Sequence, residues 1–317
     1  MPDVGESRLK QLSEKGRYFP KVEAQRHTVK EMIERYQHEV LPHKRRSTIP
    51  TQKLQLQWWQ QEIGDYTLAD ITPALLVTYR NTLADGRANA TVNRYFAVLS
   101  HVFTVAVNEW QWCIDNPVRK IRKSREAQGR TRYLSDEERK VLLEACQKSR
   151  NPYLYTVVVL AITTGARRGE LLSLRWSEVD LKRGRLMFPT TKNREARAVP
   201  LPTFALDVLT QHAQRYGNRT FVFPNATDKG PMSIRGAFQG ALKHAGVKNF
   251  KFHDLRHTAA SYLAMNSASL LEIAEILGHK TLAMVKRYAH LCEAHTRGVL
   301  ERTTKAVFTE SEKVAGE

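Results

Sequence analysis

The sequence predicts a mostly α-helical protein of two domains, the second of which also contains a small antiparallel β-hairpin. Three observations predict this fold class. Apolar residues recur at helical spacing in two long stretches, a basic stretch poor in apolar residues separates them, and the apolar period shortens to two near residues 185–200. The chain has 317 residues, and one domain usually takes about 100–200 residues, so two domains are expected.

The first helical domain is expected over residues 26–117, after a short polar segment at residues 1–25. Thr28 is predicted to cap the first helix, because Glu31 stands at the capping-box position three residues later. A later helix should begin near Pro73, since proline is favoured in a first helical turn. The other helices of this domain are predicted over about residues 47–63 and 89–110.

A basic stretch follows at residues 118–132, with seven lysines and arginines against one acid, Glu126. Its apolar content is too low to bury a surface, which predicts a solvated linker. A strap lying on phosphates is a second interpretation, and the two are compatible. The side chains expected to contact phosphates are Arg119, Lys120, Arg122, Lys123 and Arg125.

The second domain is expected over residues 133–297, with a tail of mixed charge at residues 298–317. Ser135 is a suitable N-cap for its first helix. Residues 185–189 and 196–200 alternate like two short strands joined by a turn. Helices are predicted over about residues 135–149, 152–164, 170–174, 203–215, 233–245, 254–265, 269–277 and 281–290.

The charge balance predicts a polyanionic partner. Lysines and arginines number 50 against 32 acids, which gives a net charge of +18. This surplus does not distinguish DNA from RNA or from an anionic membrane surface. Three cysteines without CxxC spacing predict neither disulfides nor a zinc site. The N-terminal residues lack the apolar stretch of a signal peptide, and a soluble protein of the reducing cytoplasm is expected.

Four polar clusters in the second domain contain the candidate functional residues. They are TGARRGELL from Thr164, HDLRHT from His253, LGH from Leu277 and YAH from Tyr288. Taken alone, the first is typical of a helix-capping glycine with surface arginines. The two histidines of HDLRHT, four residues apart, have zinc spacing, but the cluster lacks the glutamate of HExxH and its arginine would repel a cation. A single tyrosine among eleven carries no signal by itself.

Together, the clusters TGARRGELL, HDLRHTAAS, LGH and KRYAHL, in this order, resemble the signature of the tyrosine recombinase (phage integrase) family. The resemblance covers about residues 131–291, and the preceding helical domain resembles the core-binding domain of that family. It therefore implies a helical DNA-clamping domain followed by the α+β catalytic fold of tyrosine recombinases.

The resemblance also implies an active site. The catalytic positions would be Arg167, Lys192, His253, Arg256, His279 and Tyr288, with Glu170 and His257 in support. Lys192 is preferred to Lys182 because it lies in the turn of the predicted hairpin.

Each of these residues suits one part of phosphoryl transfer. The two arginines would bind the phosphate, and Glu170 would orient Arg167 or the neighbouring backbone. Tyr288 has a reference pKa of about 10, so the neutral phenol is a weak nucleophile. It needs either a proton acceptor, for which His253 is the expected residue, or a strongly cationic pocket. Lys192 would protonate the leaving 5′-oxygen, and His279 would donate a hydrogen bond to the phosphate.

The implied product is a 3′-phosphotyrosine that a 5′-hydroxyl can attack, without a metal or nucleotide cofactor. Double-stranded DNA is the expected partner, bound by four protomers in contact through the tail, with accessory DNA-bending or directionality proteins. Such a protein would work at the nucleoid of a bacterium, or derive from a phage. Because about 25 residues precede the first helical domain, binding to arm-type sites is expected to be reduced or absent.

Two alternatives stay open. A type IB topoisomerase would use the same chemistry but reseal the same strand. A non-catalytic DNA-binding regulator would use residues 270–291 as a helix-turn-helix. The sequence leaves the target DNA and the recombination event undetermined, whether integration, excision, inversion or dimer resolution.

Overall fold

The structure is a computed structural model that describes residues 20–127, 130–189, 196–279, 281–291 and 297–304. It divides into two compact units, Met1–Gly129 and Arg130–Glu317, each with its own apolar core. The predicted fold class is confirmed: the chain is mostly helical, with one three-stranded antiparallel sheet among the described residues. No helix within these ranges combines the length and the apolar character needed to cross a membrane.

The N-terminal unit is built from helices around a core of large side chains. Thr28 caps the first helix, with Glu31 completing the capping box as predicted. The core is centred on Trp59, which is fully buried and donates from its indole nitrogen to the Tyr95 carbonyl at 3.0 Å. The helices are α1 (Val29–Glu39), α2 (Ile49–Ile63), α3 (Pro73–Ala84) and α4 (Asn89–Asn108), and residues 20–26 are helical too. Short 3₁₀ turns occupy Leu41–His43, Leu68–Asp70 and Pro117–Lys120.

The basic stretch differs from the expected solvated linker. Val118 is only 7% exposed and belongs to the N-terminal core. The Asn93 amide both donates to the Ser124 carbonyl at 2.8 Å and accepts from the Ser124 N–H at 3.0 Å. Asn89 donates to the Arg125 carbonyl at 2.8 Å. Because asparagines some thirty residues earlier satisfy backbone groups of Ser124 and Arg125, the part of the stretch at residues 118–125 packs on this unit despite its low apolar content.

The C-terminal unit surrounds one small sheet with helices. Strands β1 (Val179–Asp180), β2 (Arg185–Phe188) and β3 (Arg197–Pro200) pair antiparallel in the order β1-β2-β3. The hairpin of β2 and β3 was predicted from the sequence. Strand β1 was not, because two residues are too few to show an alternation of apolar and polar side chains. Ser135 caps the first helix as predicted. The helices are α5 (Asp136–Gln147), α6 (Leu154–Thr164), α7 (Arg168–Leu172), α8 (Thr203–Tyr216), α9 (Arg235–His244), α10 (Asp254–Met265) and α11 (Leu270–Leu277), with a 3₁₀ turn at Trp176–Glu178.

Helix α6 ends where the site begins. Gly165 follows the helix with φ of +59°, and a Cβ there would lie 2.1 Å from Cδ2 of Leu277. Both the left-handed backbone and this close approach require glycine. The turn therefore brings the chain that leads into α7 directly against the last turn of α11.

The stretch that contains Tyr288 is not the single α-helix predicted over residues 281–290. It consists of two 3₁₀ turns, Leu282–Met284 and Lys286–Leu291. The N–H of Val285 donates to Leu282 and the N–H of Tyr288 to Val285, each across three residues. Val285 and Tyr288 are the buried residues here, and a spacing of three matches the three-residue turn of a 3₁₀-helix.

Candidate active site

Arg167 lies at the junction between α6 and α7, held by a carboxylate and a backbone carbonyl. Its N–H donates to Oε2 of Glu170 at 3.0 Å, and its Nη1 donates to Oε1 of the same residue at 2.8 Å. Its Nη2 reaches the Gly278 carbonyl at 3.3 Å. Burial alone would raise the pKa of Glu170, but the hydrogen bonds from Arg167 and the charge of Arg197 bring that pKa below its usual value. Glu170 is thus an ionised anchor for the guanidinium.

Arg256 is the most buried cation of the cluster, at 5% exposure. Its Nη1 donates to the Gly165 carbonyl at 2.7 Å. Its Nη2 is buried without a hydrogen-bond partner among the described residues. Burial, together with Arg167 and Arg197 nearby, lowers the pKa of Arg256 to about 9, which still leaves the guanidinium charged at neutral pH. A buried donor left unpaired is costly, so this corner of the site favours an incoming anion.

Tyr288 is 2% exposed, and its hydroxyl lies 2.5 Å from Nδ1 of His257. Burial lowers the pKa of His257 to about 4, with His253 and Arg287 adding to the effect, so the ring is neutral at pH 7 and can accept the phenol proton. Burial raises the pKa of Tyr288, although Arg287 and Arg256 oppose it. The pair is therefore a neutral phenol beside a neutral imidazole, and the imidazole can accept the phenol proton in the tautomer that leaves Nδ1 unprotonated.

The histidine at the tyrosine hydroxyl differs from the one predicted. The sequence interpretation assigned proton acceptance to His253 and gave His257 a supporting place. In the structure His253 packs edge-on against His257, with ring centroids 5.3 Å apart. Burial, followed by the charge of Arg256, lowers the pKa of His253. Spacing along α10 places both rings on one face, and only the position of the Tyr288 turn decides which of them meets the hydroxyl.

His279 enters the site just after the left-handed cap residue Gly278. Its N–H donates to the Ala274 carbonyl at 2.8 Å, which fixes the backbone. Its Nδ1 is buried and has no partner in the part of the chain that the structure describes. Burial lowers the pKa of His279 to about 4, with Arg256 and Arg167 contributing. This ring atom and Nη2 of Arg256 are therefore both buried in the cluster without a hydrogen-bond partner among the described residues.

Lys192 lies outside the described residues, in the connection between β2 and β3. Lys182, the other lysine considered, lies in the turn between β1 and β2. A residue that the sequence interpretation missed is Arg197, whose Nη2 donates to Oε2 of Glu170 at 2.7 Å. The alternation along this strand could have identified Arg197, because it shares the inward face of β3 with the buried Val199. An arginine on an inward face needs a partner.

Residues 119–125 of the basic stretch form a separate cationic surface on the N-terminal unit. Lys120 pairs with Asp115, and Arg119 reaches Oγ1 of Thr104 at 3.4 Å. The carbonyl of Arg122 accepts from Arg80 at 3.1 Å. A cleft of about 360 Å³ lies between this stretch and α4. Its basic rim is Arg80, Arg119, Arg122 and Lys123, over a floor that includes Phe96, Ala97 and Val118.

Comparisons with known proteins agree with both units. Residues 132–295 match the phage integrase family, and residues 25–125 match the phage integrase N-terminal domain. The shufflon-specific DNA recombinase of Escherichia coli is 35% identical over 232 residues, which cover 70% of this chain and 58% of that protein. The integrase of Haemophilus phage HP1 is 30% identical over 249 residues, covering 75% of this chain and 70% of that one. The chain thus spans little more than half the length of the first of these relatives.

A solved structure shares the fold. The lambda integrase tetramer bound to a Holliday junction superimposes with a TM-score of 0.68 at 23% identity, over 82% of this chain and 77% of that one. At this identity the likeness establishes the fold.

The lowered histidine pKa values make stability depend on pH. His257 and His279 titrate at about 4 in the folded protein, against 6.5 for an ordinary histidine. The unfolded chain therefore binds more protons between these values, and their contribution to stability is fully present above about pH 6.5 and is lost as pH falls toward 4. We expect urea titrations to give a smaller free energy of unfolding near pH 4 than above pH 6.5. In the double variant His257→Gln/His279→Gln, the slope of this free energy against pH should be shallower, by the equivalent of up to about two bound protons. An unchanged slope would contradict the buried, neutral state of the two rings.

Proposed function

This chain belongs to the phage integrase family, and on that premise we propose that it is a site-specific DNA recombinase. It cleaves one strand of double-stranded DNA through a covalent 3′-phosphotyrosine at Tyr288 and rejoins it to another strand, without metal or ATP. The proposal rests on one observation: the Tyr288 hydroxyl is hydrogen-bonded to a neutral histidine, beside a cluster of arginines in which buried nitrogens have no partner among the described residues.

We place the phosphate beside the buried nitrogens of the cluster that have no hydrogen-bond partner among the described residues. These are Nη2 of Arg256, Nδ1 of His279 and Nε of Arg197. A phosphodiester oxygen can accept from the guanidinium, and from the imidazole when that nitrogen carries the proton. Arg167 supplies a second permanent charge. Donors held in place before negative charge develops on the equatorial oxygens stabilise the transition state without further reorganisation.

The cleavage step transfers two protons, one from the attacking oxygen and one to the leaving oxygen. Oη of Tyr288 attacks phosphorus, and its proton passes to Nδ1 of His257. The bond from phosphorus to the 5′-oxygen breaks, and Lys192 gives that oxygen a proton. The phosphodiester bond energy stays in the phosphotyrosine, so a 5′-hydroxyl of another strand can reverse the step and reseal the DNA. Burial raises the pKa of Tyr288, so its hydroxyl is harder to deprotonate than that of an exposed phenol. Cleavage therefore depends more strongly on proton acceptance by Nδ1 of His257.

DNA binding would use the cationic surface of the N-terminal unit as well. We assign phosphate contacts to the cleft rim and to the adjacent side chains, namely Arg119, Lys120, Arg122, Lys123 and Arg125. The surplus of +18 supports a partner with many phosphates.

The assembly we propose is a tetramer on two DNA sites, and the lambda integrase tetramer bound to a Holliday junction supports it. Residues 297–304 are helical, and Leu300 is 63% exposed. This helix and the rest of the tail, residues 298–317, would dock on a neighbouring protomer. Accessory DNA-bending or directionality proteins would select the direction of the reaction. The compartment that fits this activity is the bacterial cytoplasm, at the nucleoid.

The first test traps the covalent intermediate. A library of randomised duplexes with a nick near each candidate site is incubated with the protein, denatured, and captured through the linked polypeptide. Sequencing then identifies a cleavable site. Wild-type protein should yield the adduct and Tyr288→Phe none, because phenylalanine lacks the attacking oxygen. An adduct that forms with Tyr288→Phe would exclude Tyr288 as the nucleophile. Resealing restricted to the original strand would indicate a type IB topoisomerase instead.

The second test separates the two histidines. On the selected nicked duplex, we expect His257→Gln to lower the single-turnover cleavage rate by about 10²–10⁴-fold, the usual contribution of a positioned acid or base. His253→Gln keeps the acceptor at the hydroxyl and should lose less. A greater loss with His253→Gln would return the acceptor role to His253.

The third test addresses the basic stretch. The double variant Arg122→Gln/Lys123→Gln should weaken binding to a random-sequence duplex. The slope of log K against log salt should become shallower by about 0.9 for each phosphate that the variant no longer neutralises. The matched control is Lys21→Gln/Lys30→Gln, which removes the same charge from exposed positions away from the cleft. An equal decrease in both proteins would show that only net charge matters.

A further inference from the structure

We propose that Arg197 is a positioning residue for strand cleavage, one that ties the Glu170–Arg167 pair of the phosphate site to the backbone that presents His279. This inference rests on the proposed function. Arg197 lies on β3, outside the motifs that the sequence analysis singled out, and its contacts run to two separate parts of the cluster.

The guanidinium of Arg197 bridges two elements that no backbone ladder joins. Its Nη2 donates to Oε2 of Glu170 at 2.7 Å, at the start of α7. Its Nη1 donates to the Ile276 carbonyl at 3.2 Å, in the last turn of α11. The same turn presents the Gly278 carbonyl to Arg167. Each end of the bridge therefore holds one side of the proposed phosphate site.

The end of α11 is shaped around this side chain. Gly278 has φ of +66°, and a Cβ at this position would lie 2.4 Å from Nη1 of Arg197. The missing side chain thus leaves room for the guanidinium to pass beneath the turn. His279 follows immediately, so a shift of Arg197 would be transmitted to the backbone that aims the His279 ring.

Because the Arg197 side chain is largely buried, stabilisation of the fold alone does not explain a charged residue at this position. The Arg197 side chain is 13% exposed, and burial lowers its pKa even though Glu170 opposes that effect. A buried ion pair often stabilises a fold no better than apolar residues of similar volume. The guanidinium of Arg197 also fixes the distance between its two acceptors, because its donors lie in one rigid plane. Lysine, with one ammonium group, cannot reproduce that constraint.

Glu170 links this geometry to the reaction. Its Oε2 accepts from Arg197 and from the N–H of Arg167, while its Oε1 accepts from the Arg167 guanidinium. Without Arg197 the carboxylate can rotate, and Arg167 follows. A misplacement of about 1 Å in a site of this kind can cost about 10²-fold in rate.

The experiment compares Arg197→Gln and Arg197→Lys with wild type on the selected nicked duplex under single-turnover conditions. We expect the cleavage rate constant to fall by about 10²-fold in Arg197→Gln. Arg197→Lys should recover part of this loss, since its ammonium can reach one of the two acceptors. The adduct yield per folded molecule and the DNA dissociation constant should stay at the wild-type values.

The pH profile supplies a readout that loss of stability would not change. The charge of Arg197 helps to lower the pKa of Glu170. In Arg197→Gln this carboxyl therefore protonates at higher pH, and the acidic limb of the cleavage rate moves to higher pH. The matched control is Arg185→Gln on the neighbouring strand, where the arginine pairs with Asp180 at 3.4 Å instead of with the cluster. The control should leave the rate and the profile unchanged.

The outcomes distinguish the two proposals. If wild-type protein forms no adduct on any selected duplex, the recombinase function is wrong. If wild type cleaves and Arg197→Gln cleaves at the same rate, the positioning role is wrong. A lower adduct yield at an unchanged rate constant would assign Arg197 to folding alone. Weaker DNA binding in both Arg197 variants would make Arg197 a direct phosphate contact and would also overturn the inference.

Discussion

Three guanidinium groups, those of Arg167, Arg197 and Arg256, lie in one half-buried cluster and share a single carboxylate, Glu170. Like charges repel strongly where water is scarce, and one carboxylate offsets only one of the three. The surrounding fold must supply the remaining stabilisation, and the cluster keeps an excess of positive charge. Under the proposed function, a phosphodiester would offset that excess. The same imbalance that costs stability in the free protein would then provide affinity and transition-state stabilisation for DNA.

Two glycines make this cluster possible. Gly165 ends α6 and Gly278 ends α11, each in the left-handed conformation. Their carbonyls accept from Arg256 and Arg167 respectively. Carbonyls at helix C-termini carry partial negative charge, so they favour cations without adding a titratable group. The carbonyls stabilise the arginines but leave the net charge of the site unchanged, which keeps it receptive to an anion.

The sequence allowed the local elements and the chemical inventory to be predicted. The capping box at Thr28, the N-cap at Ser135 and the alternation of β2 and β3 were confirmed, because each depends on residues a few positions apart. The ordered motifs likewise indicated the family, and the comparisons confirmed it. The expectation that Glu170 orients Arg167 agrees with the contact between them, since Arg167 is the N-cap of the short helix that carries Glu170.

Contacts across long sequence separations could be decided only by the tertiary structure. Arg197 meets Glu170 across 27 positions and Ile276 across 79, and neither distance leaves a periodic trace. His257 replaces His253 at the tyrosine hydroxyl because the 3₁₀ turns, unlike a continuous helix, set where Tyr288 arrives. The sequence by itself determined which groups are available for the proposed phosphoryl transfer, since side-chain chemistry and short-range spacing are local properties. Which of those groups touch was decided by packing between distant elements, where differences of a few ångströms select one partner over another.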